Sequence, residues 1–134
     1  MTTETTRAHL QIGQVADRTE LSIKTIRHYD EVGLVQPSER SAGGFRLYTD
    51  ADVARLLVIR RMKPLGFTLE EMKALLDSLE VLDDDTAAVQ RRAEAVEVVI
   101  ECRDNAQQRC ERLRRQLAYA EEFTELLTVR DART

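Results

Sequence analysis

The chain has 134 residues, of which 4% are aromatic and 33% charged, with a formal net charge of -4. That length holds about one domain plus a helical extension, and so few aromatics leave little material for a second, enzyme-sized core. The net charge argues against a generally basic coat for a polyanion, but it conceals an asymmetry. From Arg18 to Lys63 the cations Arg18, Lys24, Arg27, Arg40, Arg46, Arg55, Arg60, Arg61 and Lys63 outnumber the anions Glu20, Asp30, Glu31, Glu39, Asp50 and Asp52. Beyond Ala74 acids predominate, so a polyanion is expected to land on the N-terminal half.

Residues 1–9 are polar and end in no small-residue cleavage pattern, which predicts a disordered lead and not a secretion signal. No apolar run approaches the roughly 20 residues that span a bilayer. The expected setting is cytoplasmic, with no membrane partner and with Cys102 and Cys110 as reduced thiols. The folded part begins at Leu10-Gln11-Ile12, and a short first helix is predicted over Gln14–Arg18 with Ile12, Val15 and Ala16 turned inward. After the turn Thr19-Glu20-Leu21, Ser22 is a good N-cap for a second helix. There Ile23, Ile26 and Tyr29 or Asp30 fall on the inward row, and Lys24, Thr25, Arg27 and His28 are left outside.

Gly33 is expected to close that helix, Leu34-Val35 to form a short apolar strand, and Pro37 to stop it. The Ala42-Gly43-Gly44 turn predicts a reversal, with Phe45-Arg46-Leu47-Tyr48 returning as a strand, so that a two-stranded wing follows the helix pair. Thr49 with Asp52 has the spacing of a reciprocal cap for a third helix, from about Asp50 to Lys63, carrying Val53, Leu56, Leu57 and Arg60. Thr68 with Glu71 repeats the device for a fourth, with Leu69, Met72, Leu75, Leu76 and Leu79 as its buried face. Residues 81–85, with Asp83-Asp84-Asp85, read as a linker. From Thr86 to about Leu127 there is neither Gly nor Pro. One helix over 86–127 places Val89, Val96, Arg103, Cys110 and Leu117 in one heptad row and Val99, Ala106, Leu113, Ala120 and Leu127 in the other, with Arg92 and Arg103 interrupting the seam. A helix of that length with an apolar stripe needs a partner helix or a fold back onto the N-terminal domain, and a homodimer is the expectation. Residues 128–134 read as a short tail.

The basic and aromatic side chains of Ser22–Tyr48 are the tools used on a phosphate backbone and its neighbouring bases. In chain order the motifs I-x-Q-V-A, S-x-x-T-I-R-x-Y-D-x-x-G-L, G-x-R-x-Y and I-R-R-M-K-P-L-G-F-T-L-E-E-M resemble the MerR family of bacterial transcription regulators, over Ile12 to about Leu79. The resemblance implies a mainly α fold, with a winged helix-turn-helix DNA-binding domain over residues 10–80 and a long dimerisation helix forming an antiparallel coiled coil. It implies a homodimer on an inverted repeat in double-stranded promoter DNA, with RNA polymerase as a partner and the spacer between promoter elements bent and undertwisted. Position by position, Thr25 and Arg27 become contacts of the major-groove helix, Lys24 and Tyr29 phosphate contacts, and Arg46 and Tyr48, with Arg40 nearby, the wing's grip on the backbone. Arg60 and Lys63 complete the phosphate track, and His28 is a solvated or phosphate-side residue. The chain departs from the family pattern at Glu20, where Gly is usual, at His28, which replaces a common aromatic, and at Pro64, which replaces a helix former.

Metal-responsive members place cysteines at the start of the dimer helix and in a loop after it, where this chain has no Cys or His. Eight residues on one helix turn Cys110 about 80° from Cys102 and raise it about 12 Å, so the pair closes no metal site on one helix. Packed helix thiols are the expectation, with pairing across a dimer the alternative, and no cofactor is expected. Residues 128–134 are too few for the drug-binding domain of larger members, so an effector, whose identity the residues do not name, would sit at the dimer interface or between it and the DNA-binding domain. An architectural DNA-bending protein with little base preference is the alternative function. An enzyme finds no nucleophile with a base and no phosphate-cradling glycine loop to stand on.

Overall fold

The computed structural model describes residues 9–132, and the helix-turn-helix begins where its backbone donors find acceptors. Helix α1 is Ile12–Thr19, two residues earlier than its apolar spacing indicated, because the Gln14 side chain reaches back to accept from the Gln11 backbone N–H at 2.9 Å. Val15 and Thr19 are its buried residues, and the Thr19 hydroxyl donates to the Val15 carbonyl at 2.8 Å. Helix α2 is Ile23–Glu31, capped by the Ser22 Oγ, which accepts from the Thr25 N–H at 3.0 Å. Ile26, Tyr29 and Asp30 are buried on its inner side, whereas Ile23 is 38% exposed.

Between the helices Glu20 takes the left-handed conformation at φ 60°, ψ 24°, with its N–H donating to the Ala16 carbonyl. A residue with a Cβ strains there, and the long side chain recovers only an exposed, screened pairing with Arg60 at 3.4 Å. Glu20→Gly is therefore expected to raise stability by roughly 0.5–1 kcal/mol, the strain relieved less the added freedom of the unfolded chain, and a rise in Tm by circular dichroism checks it.

The strand expected at Leu34-Val35 does not form. Both residues are buried, but their N–H groups donate to one acceptor, the Tyr29 carbonyl, at 2.9 and 3.2 Å. The backbone is held against the end of α2 past the left-handed Gly33, φ 76°, and is not available to a ladder. The wing's first strand lies later, β1 at Glu39–Arg40, antiparallel to β2 at Arg46–Leu47, with Arg40 opposite Arg46. The turn between them is closed by Gly44 N–H to Ser41 carbonyl and Ser41 N–H to Phe45 carbonyl, both 2.9 Å. Just after β2, Tyr48 forms an isolated antiparallel bridge with Leu10, exchanging two backbone bonds at 2.7 and 2.8 Å.

Helix α3, Asp50–Met62, starts on the reciprocal cap its sequence indicates: Asp52 N–H to Thr49 Oγ1 at 3.2 Å and Thr49 N–H to Asp52 Oδ2 at 3.0 Å. A 3-10 turn, Lys63–Leu65, admits Pro64 and ends at the left-handed Gly66. Val15, Ile26, Tyr48, Leu56 and Ile59, all essentially without solvent exposure, form the centre of this part of the chain. Helix α4, Leu69–Asp83, opens on a second reciprocal cap, Thr68 with Glu71 at 2.9 and 3.1 Å. Its Met72 and Leu76 are buried, but Leu69, expected with them, is 41% exposed. Position 69 is the first residue of the helix, where one apolar side chain falls short of the inner row.

The chain divides between Asp77 and Ser78 into two compact units. In the second, Asp84 accepts from the Thr86 N–H and hydroxyl at 2.9 and 2.6 Å, and these bonds hold its carboxyl below the usual carboxylate range. Helix α5 is Val89–Ala132, 44 residues and about 66 Å long. It starts three residues after the expected point and runs through the described part of the stretch expected as a tail. Arg92, which interrupts the apolar seam in the sequence, donates to the Asp84 carbonyl at 2.8 Å and so closes the turn into the helix. Cys102 and Cys110 are half-buried and form no disulfide among the described residues. Among the described residues no helix is long and apolar enough to cross a membrane. The lead expected over residues 1–9 lies outside the described residues except for His9, whose Nε2 stands 3.1 Å from Glu39 Oε1.

Candidate nucleic-acid interface

The second helix and the wing are joined by one buried carboxylate. Asp30, on the inner row of α2, has an 8% exposed side chain, and Arg46 Nε on β2 donates to its Oδ2 at 2.5 Å, with Arg40 Nη2 at 4.0 Å. Because β1 and β2 place Arg40 opposite Arg46, one acid serves both strands. The Asp30 hydrogen bond, opposed by desolvation, leaves the Arg46 guanidinium above its ordinary range, so this cation is permanent. Arg40 also donates to the Gly44 carbonyl at 3.4 Å. Both wing arginines are thus oriented, and both keep exposed surface, 35% and 51% of their side chains. Asp30 has a role that the sequence reading passed over: periodicity placed it on the inner row, but only the fold brings two arginines to it.

Charge pairing separates the cations of the N-terminal half into two sets. Arg18 pairs with Asp50 at 3.4 Å and Arg55 with the fully buried Asp52 at 3.0 Å. Arg60 donates to the Thr19 carbonyl at 2.7 Å and approaches Glu20 at 3.4 Å, so it braces the turn between α1 and α2. Lys24, Arg27, Arg61 and Lys63 have no acidic partner among the described residues. Lys24, Arg27 and His28 are exposed along the outer face of α2, and Thr25 is half-buried beside them. The Thr25 hydroxyl accepts from Ser22 Oγ at 2.8 Å, which leaves its own proton to donate outward. His28 lies 6.0 Å, centroid to centroid, from the Tyr29 ring.

Both tyrosine rings lie in the core. Tyr29 is 3% exposed and Tyr48 0%, since ring burial in a core short of aromatics outweighs display at the surface. The Tyr48 hydroxyl is buried without a hydrogen-bond partner among the described residues, and burial, reinforced by the Asp30 charge, pushes it above its ordinary range. Tyr48 is a core residue directly after β2.

On the outer side, Arg27 of α2 and Arg46 of β2 line a common groove of about 420 Å³ with Gln11, Ile12, Gly44 and Phe45. A capped helix with unpaired cations outward, beside a hairpin whose arginines are fixed, is an arrangement for a polyanionic strand.

One family model, described as the MerR HTH family regulatory protein, matches residues 10–79, and a second, described as MerR, DNA binding, matches residues 53–128. The chain belongs to the MerR family. Among curated relatives, the HTH-type transcriptional activator TipA of Streptomyces coelicolor is 40% identical over 104 residues, which cover 69% of this chain and 41% of TipA. The HTH-type transcriptional regulator CueR of Vibrio cholerae is 42% identical over 85 residues, covering 63% of this chain and 61% of CueR. The matched stretch is thus less than two thirds of either relative. The crystal structure of HiNmlR, a MerR family regulator lacking the sensor domain and bound to promoter DNA, has a TM-score of 0.66 at 24% identity, covering 87% of this chain and 88% of that one. That likeness establishes the MerR fold, a helix-turn-helix domain followed by a long C-terminal helix.

Proposed function

We propose that this MerR-family protein is a sequence-specific transcription regulator that binds an inverted repeat in double-stranded promoter DNA as a homodimer. The observation that carries the reading is the outer face of α2, where Lys24 and Arg27 have no acidic partner among the described residues, beside a wing whose Arg40 and Arg46 are fixed on Asp30. In this reading residues 10–80 are the DNA-binding domain, with α2 in the major groove. Thr25 and Arg27 read base edges, Lys24 and His28 meet the flanking phosphates, and Arg40 and Arg46 hold the backbone beside the wing. Lys63 extends the phosphate track, and Arg60 supports it from the turn it braces. Tyr29 and Tyr48 act from the core by fixing the helix and the wing strand.

The homodimer is supported by α5, where Val96, Leu113, Leu117 and Leu127 of the heptad rows are 41–57% exposed and Val89 85% in the single chain. Water disfavours an apolar stripe of that length, and an antiparallel second copy covers it. Two reading heads at a set separation then fit a repeat with two-fold symmetry. Bending or untwisting the spacer costs on the order of 1–6 kcal/mol, offset by contacts to the deformed duplex, and this is how such a dimer acts on RNA polymerase at the promoter.

Selection from a random-sequence duplex pool followed by footprinting tests the proposal: the expected footprint is an inverted repeat, and protection without one would instead favour a DNA-bending protein of low base preference. Arg27→Ala is expected to cost roughly 1–3 kcal/mol per half-site and to relax preference at one position of each half, measured by fluorescence anisotropy on single-base variants of the selected site. Equal loss on every sequence would make Arg27 a phosphate contact.

A further inference from the structure

Two buried polar groups beside the wing are unmatched, and they are complementary. The Tyr48 hydroxyl is fully buried and has no hydrogen-bond partner among the described residues. The Asp30 carboxylate, 8% exposed, accepts from Arg46 Nε at Oδ2 and from no other donor among the described residues, since Arg40 stops at 4.0 Å. A carboxylate has about four acceptor sites, and a phenol has one donor to give. Arg46 and Tyr48 stand two residues apart along the wing strand and its bridge to Leu10, so their side chains leave the same face, the one on which Arg46 meets Asp30. Among the charges around the hydroxyl Asp30 acts most strongly, ahead of Arg46, Asp52 and Arg40. Asp52 already accepts from Ser38, Thr49 and Arg55.

An arginine closed on a carboxylate is a nearly neutral pair, and it draws a phosphate less than a free guanidinium does. Moving Arg46 to a phosphate would uncover its charge but strip the buried Asp30 of the hydrogen bond it has, a loss that cancels the gain unless a second donor is at hand. The unmatched hydroxyl is that donor. We propose that Tyr48 is a positioning residue for Arg46: on DNA, Arg46 passes from Asp30 to a backbone phosphate, and the Tyr48 hydroxyl donates to Asp30 in its place. No proton changes hands, and Tyr48 stays in the core. The Arg46 side chain, 35% exposed, already borders solvent, so the exchange needs only a turn of that side chain. Asp30 is thus satisfied in both states, by the guanidinium in the free chain and by the phenol in the complex. The inference rests on the DNA-binding reading given above.

The test uses the full chain and a duplex recovered by the selection above, with affinity measured by anisotropy between about 50 and 200 mM salt. Tyr48→Phe removes only the hydroxyl. Its Tm is expected at or above the parent's, because an unmatched buried group is lost. Its affinity is expected to fall about tenfold, and its salt slope to become shallower by about one phosphate contact per half-site, because Arg46 then stays on Asp30. In an Asp30→Asn background, where Arg46 has no carboxylate to leave, the same substitution is expected to change neither affinity nor slope, and it should be silent in an Arg46→Ala background too. Parental affinity for Tyr48→Phe, an affinity loss at the parental slope, or a Tm well below the parent's overturns the exchange. An equal loss with and without Asp30 also overturns it and puts the hydroxyl on the DNA itself. If the parent chain binds no duplex, the DNA-binding reading fails instead, so the two failures are distinguishable.

Discussion

Asp52→Ala is expected to lower folding stability by about 3–5 kcal/mol, the largest loss from any single polar residue of the wing-to-helix joint. The side chain is fully buried and accepts from four donors: the Ser38 N–H at 3.0 Å, the Ser38 hydroxyl at 2.7 Å, the Thr49 N–H at 3.0 Å and Arg55 Nη1 at 3.0 Å. Truncation removes the return half of the α3 cap, unties the segment entering β1, and leaves Arg55 without its buried counter-charge. Asp50→Ala, two residues away, is the control. Asp50 is 58% exposed and pairs at 3.4 Å with a 54% exposed Arg18, a pairing worth about 0–1 kcal/mol. Urea denaturation of both variants checks the contrast, and comparable losses would mean that Asp52 does not organise the joint.

The second large effect concerns the long helix. Leu113→Glu combined with Leu117→Glu places two carboxylates on adjacent seam positions that are 41% and 57% exposed in the single chain. Glutamate is a good helix former, so α5 itself should persist by circular dichroism. A partner helix, however, would have to bury unpaired charge, and the expected species at micromolar concentration by analytical ultracentrifugation is a monomer where the parent is a dimer. Affinity for a two-half-site duplex should then fall by roughly 10²–10⁴, because the second half-site is no longer bound intramolecularly. A parent that sediments as a monomer, or a monomeric variant with undiminished affinity, would remove the dimer from the proposed mechanism.

These two predictions draw on different kinds of information, and the difference lies in sequence separation. Bonds that span three or four residues are written in local order. Thr49 with Asp52 and Thr68 with Glu71 form the reciprocal caps their spacing announces, and Ser22 caps α2. Gly33 and Gly66 end their helices in the left-handed conformation, and Glu20, noted as a departure where Gly is usual, adopts it as well. The periodicity of α2 likewise separates Ile26, Tyr29 and Asp30 from the exposed Lys24, Arg27 and His28.

Tertiary structure alone decided which charges remain free. Asp30 meets Arg46 across 16 residues, Asp52 meets Ser38 across 14, and Arg60 reaches the Thr19 carbonyl across 41. No local pattern encodes those distances. It also decided that Leu34 and Val35 turn their N–H groups to the Tyr29 carbonyl and form no strand, and that Tyr48 goes into the core. By itself the sequence determined the helices, their caps and the family, because short-range hydrogen bonds and side-chain periodicity depend only on neighbours. The fold determined which cations are left facing outward, because an ion pair depends on distance in space, and that is set only once the chain has closed on itself.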